Sequence, residues 1–153
     1  MQADKVITSL LFSSVMERDA FAILSMRFEE LIRQKKYQHS VPALQNTELK
    51  DGRVKCLLDF TDRLNSSLEY CAALDQFLIQ YEQLLCDIVL LEQERAFRLS
   101  ALVSIDSELA TFELRVPRIP SELGRFQSFS FDYWVWHICD AGPESEASQQ
   151  CGS

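Results

Sequence analysis

The chain has 153 residues, 47% of them hydrophobic, which suits one domain with an ordinary core. Its formal net charge of −8 argues against direct nucleic-acid binding, which needs a basic footprint, and against adhesion to an anionic membrane surface. No apolar run reaches membrane-spanning length; the greasiest stretch, LLCDIVLLE, is interrupted by Asp87 and closed by Glu92.

The first segment, MQADKVITSLLFSSVMERD, does not read as a secretory leader, because Lys5 is offset by Asp4 and the apolar part is diluted by Ser and Thr. A reducing compartment, cytoplasm or nucleus, is expected. Glycine and proline are absent from Met1 to Val41, which predicts a helix over about 4–38 with Ile7, Leu10, Leu11, Phe21, Leu24, Phe28, Leu31 and Ile32 on one side. Within it, Ser14 to Glu17 has the Ser-x-x-Glu form of a capping box and marks a place where the helix starts late or breaks. His39 closes the helix, where an imidazole meets the last carbonyls. A connector over 39–52 follows, with Asp51-Gly52 as its turn.

A second, longer helix is predicted over about 53–110. With Leu57 as heptad position a, the a and d sites run Leu57, Phe60, Leu64, Ser67, Cys71, Leu74, Leu78, Tyr81, Leu85 and Ile88. The g sites Tyr70, Phe77, Leu84 and Leu91 are apolar as well. A face that wide needs neighbours on two sides, so the expected fold is mainly α: a long antiparallel helical hairpin or bundle with coiled-coil character. Between Arg63 and Arg95 there is no Lys or Arg, and Glu69, Asp75, Glu82, Asp87, Glu92 and Glu94 are acidic. A parallel homodimer would set acid against acid, which favours a hetero-oligomer with other helical chains. The pattern lapses at Glu92 and Arg95 and resumes at Leu99, Leu102 and Leu109, so either the chain bends over 92–100 or that part protrudes and is covered by another protein. Cys56, Cys71 and Cys86 recur every 15 residues, roughly 22 Å of rise on one helix, too far apart to share a metal or a disulfide.

The segment over 111–140 changes character. Thr111 to Val116 alternates, Pro117 and Pro120 forbid regular helix, and PSELG suits one short turn. From Phe126 the chain is strand-like, with Phe129, Phe131, Tyr133 and Val135 on one side and Ser128, Ser130, Asp132, Trp134 and Trp136 on the other. A lone strand cannot satisfy its backbone, so this aromatic ribbon pairs with Thr111–Val116 as a hairpin, lies across the helices, or joins a partner's sheet. Residues 141–153 are small, polar and acidic, as in a disordered tail.

No phosphate-binding loop, dinucleotide fingerprint or paired metal-ligand motif is present, so no catalytic residue, cofactor or metal is expected. His137 and Cys139, two apart on a strand, are the one weak alternative, as a thiol or metal site. The functional expectation is a non-enzymatic scaffold or adaptor subunit. Its partner-binding residues would be Leu64, Tyr70, Leu74, Phe77, Leu78, Tyr81, Leu84, Leu85, Ile88 and Leu91 on the long helix, with Phe129, Phe131, Tyr133, Trp134 and Trp136 on the ribbon. The rival expectation is a self-contained small regulator that binds a partner peptide or groove through exposed aromatics.

Overall fold

A computed structural model describes residues 9–64, 70–106 and 115–138. The N-terminal segment is a strand, β1 (Ser9–Met16), followed by helix α1 (Arg18–Lys35). Two more strands follow, β2 (Gln45–Glu48) and β3 (Val54–Asp59), and then a 3-10 turn over Thr61–Arg63. Helices α2 (Tyr70–Gln80) and α3 (Glu82–Leu91) lead to β4 (Phe97–Asp106), the short helix α4 (Ser121–Gly124) and β5 (Phe129–Ile138).

The five strands form one mixed sheet in the order β2-β3-β1-β4-β5. The β2–β3, β3–β1 and β1–β4 pairs are antiparallel, whereas β4–β5 is parallel. Opposed residues share a face, so the register defines both faces of the sheet. On the inner face stand Leu10, Phe12 and Met16 of β1, Val54, Cys56 and Leu58 of β3, and Phe97, Leu99, Ala101 and Val103 of β4, all buried. Phe12 is the hub, stacking on Phe97 with ring centroids 5.3 Å apart. Helices α1, α2 and α3 cover this face through Leu24, Phe28, Leu74, Phe77, Leu78, Leu85 and Ile88, and α4 adds Leu123. The architecture is a two-layer α/β domain.

The long helical hairpin with coiled-coil character is therefore overturned. Within the helix expected over 4–38, Ser9–Met16 is a strand and helix begins only at Arg18. The break does fall at the end of the capping-box stretch, but not for the capping reason. Ser14 is a buried strand residue whose hydroxyl donates to the Ala96 carbonyl at 2.6 Å, and Glu17 at the N-cap makes no side-chain cap bond. Among the described residues of the helix expected over 53–110, α-helix is confined to the stretch Tyr70–Leu91. Here α2 and α3 are nearly continuous, since Tyr81 N–H reaches Phe77 O at 2.9 Å and Leu85 N–H reaches Tyr81 O at 3.0 Å. Val54–Asp59 are instead β3 and Phe97–Asp106 are β4, because buried and less buried positions alternate there with period two rather than recurring at 3.6. The lapse over 92–100 is the end of a helix and not a bend within one.

The width of the α2–α3 apolar face is real. Tyr70, Leu74, Phe77, Leu78, Tyr81, Leu84, Leu85 and Ile88 are all buried, and the neighbours that such a face requires are the chain's own sheet and α1. The cysteines share no helix either: Cys56 lies in β3, Cys71 in α2 and Cys86 in α3, all as free thiols. No helix among the described residues is long and apolar enough to cross a membrane. Thr111–Leu114, Cys139 and the tail over 141–153 lie outside the described residues.

Candidate interaction surface

The ribbon is β5, and its alternation runs as the sequence implies. Phe129, Phe131, Tyr133 and Val135 are half-buried and pack against the core beneath the sheet. Its partner is β4, in parallel, with Phe97 beside Phe129, Ala101 beside Tyr133 and Leu102 beside Trp134. Trp134 points to the other side of the sheet, where no helix lies among the described residues, and is 61% exposed.

That outer face reads in rows. Leu57 of β3, Ser13 of β1, Arg98 of β4 and Ser130 of β5 form one; Asp59, Leu11, Ser100 and Asp132 form the next; Ser9, Leu102 and Trp134 form the third. Leu11, Val15 and Leu57 are half-buried by their neighbours, whereas Leu102 is 37% exposed beside Trp134. The polar member nearest the tryptophan is already engaged, since Ser100 Oγ donates to Asp132 Oδ1 at 2.8 Å. The face thus sets Leu11, Leu57 and Leu102 among serine, aspartate and arginine side chains, with one prominent indole at the β5 end. Tryptophan in such a setting gives a large rigid contact area for little lost side-chain freedom.

The two edges of the sheet differ. β2 is four residues long, fully exposed and polar, QNTE, with Glu48 ion-paired to Arg18. β5 is ten residues long and carries no Lys, no Pro and no Gly. Short charged edges resist pairing with another chain, and long apolar ones invite it.

Of the residues expected to bind a partner, those of the long helix are spent on the interior. Leu64 is buried with the eight α2–α3 residues above, and Leu91 packs half-buried against the core. Among the ribbon residues, Trp134 is the one placed on the surface; Trp136 holds its backbone position beside Ser104, and its side chain lies outside the described part. Sequence reasoning missed Leu11, Leu57 and Leu102 as members of this face, because only the strand register brings them together.

Elsewhere the polar chemistry is accounted for by structure. Asp87 on α3 accepts from Tyr37 Oη at 2.6 Å and from Gln83 Nε2 at 3.0 Å, with Lys35 Nζ at 3.7 Å. Asp75 on α2 accepts from Arg115 Nη2 at 2.6 Å and from the Arg118 N–H at 2.8 Å. Burial opposes the charge of Asp75, but the Arg118 N–H and the Arg115 guanidinium outweigh it and hold the carboxyl below its usual range. Burial pushes the Cys56 and Cys86 thiols up to about 11, so neither is an activated nucleophile. The Tyr70 hydroxyl is buried without a hydrogen-bond partner, and burial raises its pKa. Among the described residues no three His, Cys, Asp or Glu side chains approach closely enough to hold a metal ion. His39 stacks near Tyr81, and His137 keeps its backbone place in β5.

The helical side offers a second, smaller surface. Ile23, Met26 and Leu90 are exposed there, and Met26, Leu31 and Leu91 line a groove bordered by Arg27, Glu30 and Gln34. Arg27 is fixed across this groove, donating to the Leu91 carbonyl at 3.1 Å.

Comparison with protein-family models, with curated proteins and with solved structures finds no match for this chain.

Proposed function

We propose that the chain is a non-catalytic protein-binding domain that engages its partner through the outer sheet face at β4 and β5. One observation carries the reading: Trp134 stands 61% exposed beside Leu102, on a sheet face left open by the helical layer. A projecting tryptophan beside a leucine, ringed by polar side chains, is the composition of an interaction hot spot, not of a reaction site. The helix faces expected to recruit other helical subunits are occupied within the chain, so the partner meets the sheet instead. This retains the partner-binding character expected from the ribbon and drops the requirement for a helical companion.

The test compares affinity capture by the wild-type chain and by Trp134→Ser, after circular dichroism confirms that both are folded to the same extent. A partner held by the wild type and lost at least tenfold by the folded variant supports the reading. Capture of the same proteins at equal strength by both would overturn it.

A further inference from the structure

We infer that β5, the edge strand among the described residues, pairs antiparallel with β5 of a second copy, joining two five-stranded sheets into one ten-stranded sheet with Trp134 on its two-fold axis. The inference deepens the proposed partner-binding role of this region, since the seam would set two Trp134 faces side by side as one platform.

The backbone supplies the first argument. Phe97 N–H donates to the Ser128 carbonyl at 2.6 Å, which sets the phase of the parallel β4–β5 ladder. In that phase the even-numbered residues of β5 aim N–H and C=O at β4, and the odd-numbered ones aim theirs outward. Phe131, Tyr133 and Val135 therefore present backbone donors and acceptors at the edge, without hydrogen-bond partners among the described residues. What complements such a row is another extended strand.

Sequence and charge select the occupant and the register. Between Phe129 and Val135 the only charged side chain is Asp132, and it is tied back to Ser100 on its own sheet. Two copies of an acidic chain can meet here because so little of their charge lies on this strand. Antiparallel pairing with Trp134 opposite Trp134 makes Tyr133 and Val135 of the two copies exchange both backbone bonds. It also separates the two Asp132 carboxylates by four strand positions, about 14 Å. Sliding the register by two to centre on Tyr133 would bring them within about 7 Å, which like charges oppose. On the outer face the chosen register gives an unbroken row of Leu102, Trp134, Trp134 and Leu102 across the seam, and it keeps both helical layers on the opposite side. A closed two-fold pair of this kind also removes the unguarded edge from solution.

Sedimentation velocity on the full chain tests the proposal. The wild type is expected at twice 17.6 kDa, dissociating on dilution. Val135→Pro removes an outward N–H and spares the β4 ladder, so it should give a folded monomer. Trp134→Pro removes a ladder N–H and should instead disrupt the fold, which checks the phase. Should Val135→Pro fail to fold, Trp134→Lys decides, because it sets two cations face to face at the axis of an otherwise intact strand. A wild type that stays monomeric at high micromolar concentration would overturn the inference, as would a dimer that survives in a folded Val135→Pro or Trp134→Lys chain. A monomer that still captures a partner through Trp134 would sink this proposal and leave the proposed function standing.

Discussion

The Tyr37 hydroxyl donates to Asp87 Oδ2 across 2.6 Å and so ties the chain just beyond α1 to the middle of α3. Asp87 is the one buried acid among the described residues, and Gln83 and Lys35 complete its surroundings. With Leu57 at heptad position a, Asp87 would fall at c, an outward-facing site on a coiled coil. In the folded chain it serves as an anchor between two helices of the same layer.

This contact has a pH signature. Burial first, and then the bonded carboxylate, raise the Tyr37 pKa well above the usual tyrosine value. A group whose folded pKa is raised contributes fully below its unfolded pKa and loses that contribution as pH climbs towards the folded one. The stabilisation is therefore whole at neutral pH and decays from about pH 10 upward. Tyr37→Phe is expected to cost about 1–2 kcal/mol in urea unfolding at pH 7. Its stability should also fall less steeply than that of the wild type above about pH 10. Parallel alkaline slopes in the two proteins would refute the linkage.

The opposite sign applies to Asp75. Its folded pKa is depressed by the Arg118 N–H and Arg115, against the effect of burial, so its contribution is present above the unfolded carboxylate value and is lost as pH falls. These bonds hold the stretch leading to α4 against α2. Asp75→Asn should cost about 1–2 kcal/mol at pH 7, a figure reduced for the half-exposed Arg115. The deficit should shrink below about pH 4, where the wild-type carboxylate takes up its proton. Acid titration of both proteins by tryptophan fluorescence would expose a constant deficit if the assignment is wrong.

Strand and helix make different demands of Leu10 and Leu11. On a helix over 4–38 the two leucines share one apolar side, whereas on β1 they face opposite sides. Leu10 is fully buried against Ala101, and Leu11 is half-buried on the outer face beside Ser100. Leu10→Ala is expected to lose about 2–5 kcal/mol, and Leu11→Ala less than about half of that. Matching losses in chemical denaturation would count against the strand.

What could be read from the residues divides by range. The β5 alternation was legible because Phe129, Phe131, Tyr133 and Val135 are β-prone and bounded by the Pro117–Gly124 turn region. The α2–α3 face was legible too, and so was its need for neighbours on more than one side. The strands β1, β3 and β4 were not, and the cause is compositional. Each mixes a few strand formers, such as Phe12, Val15, Val54, Phe97 and Val103, with leucines and polar residues that suit a helix equally, so each short apolar run fits a helical period as well as a period of two. Leu57, Phe60 and Leu64 fell on heptad positions by coincidence, and Leu99 and Leu102 appeared to resume a seam that had already ended. Trp134 was found from its own strand. Its neighbours Leu102, Leu11 and Leu57 come to it across pairings that local sequence does not encode.

The position of β1 has a consequence for how the molecule is made. Among the described strands, the first along the chain is the middle strand of the sheet, and one of its neighbours, β4, follows only after three helices and two strands. The Ser14–Ala96 hydrogen bond spans 82 residues, and β5 is appended only after that. Loops this long must close before the hub around Phe12 gains any reward, so folding of this sheet should be slow and should wait until β4 is available. Until β4 docks, β1 offers an apolar flank to any passing strand, and the nascent chain is at its most aggregation-prone during that interval.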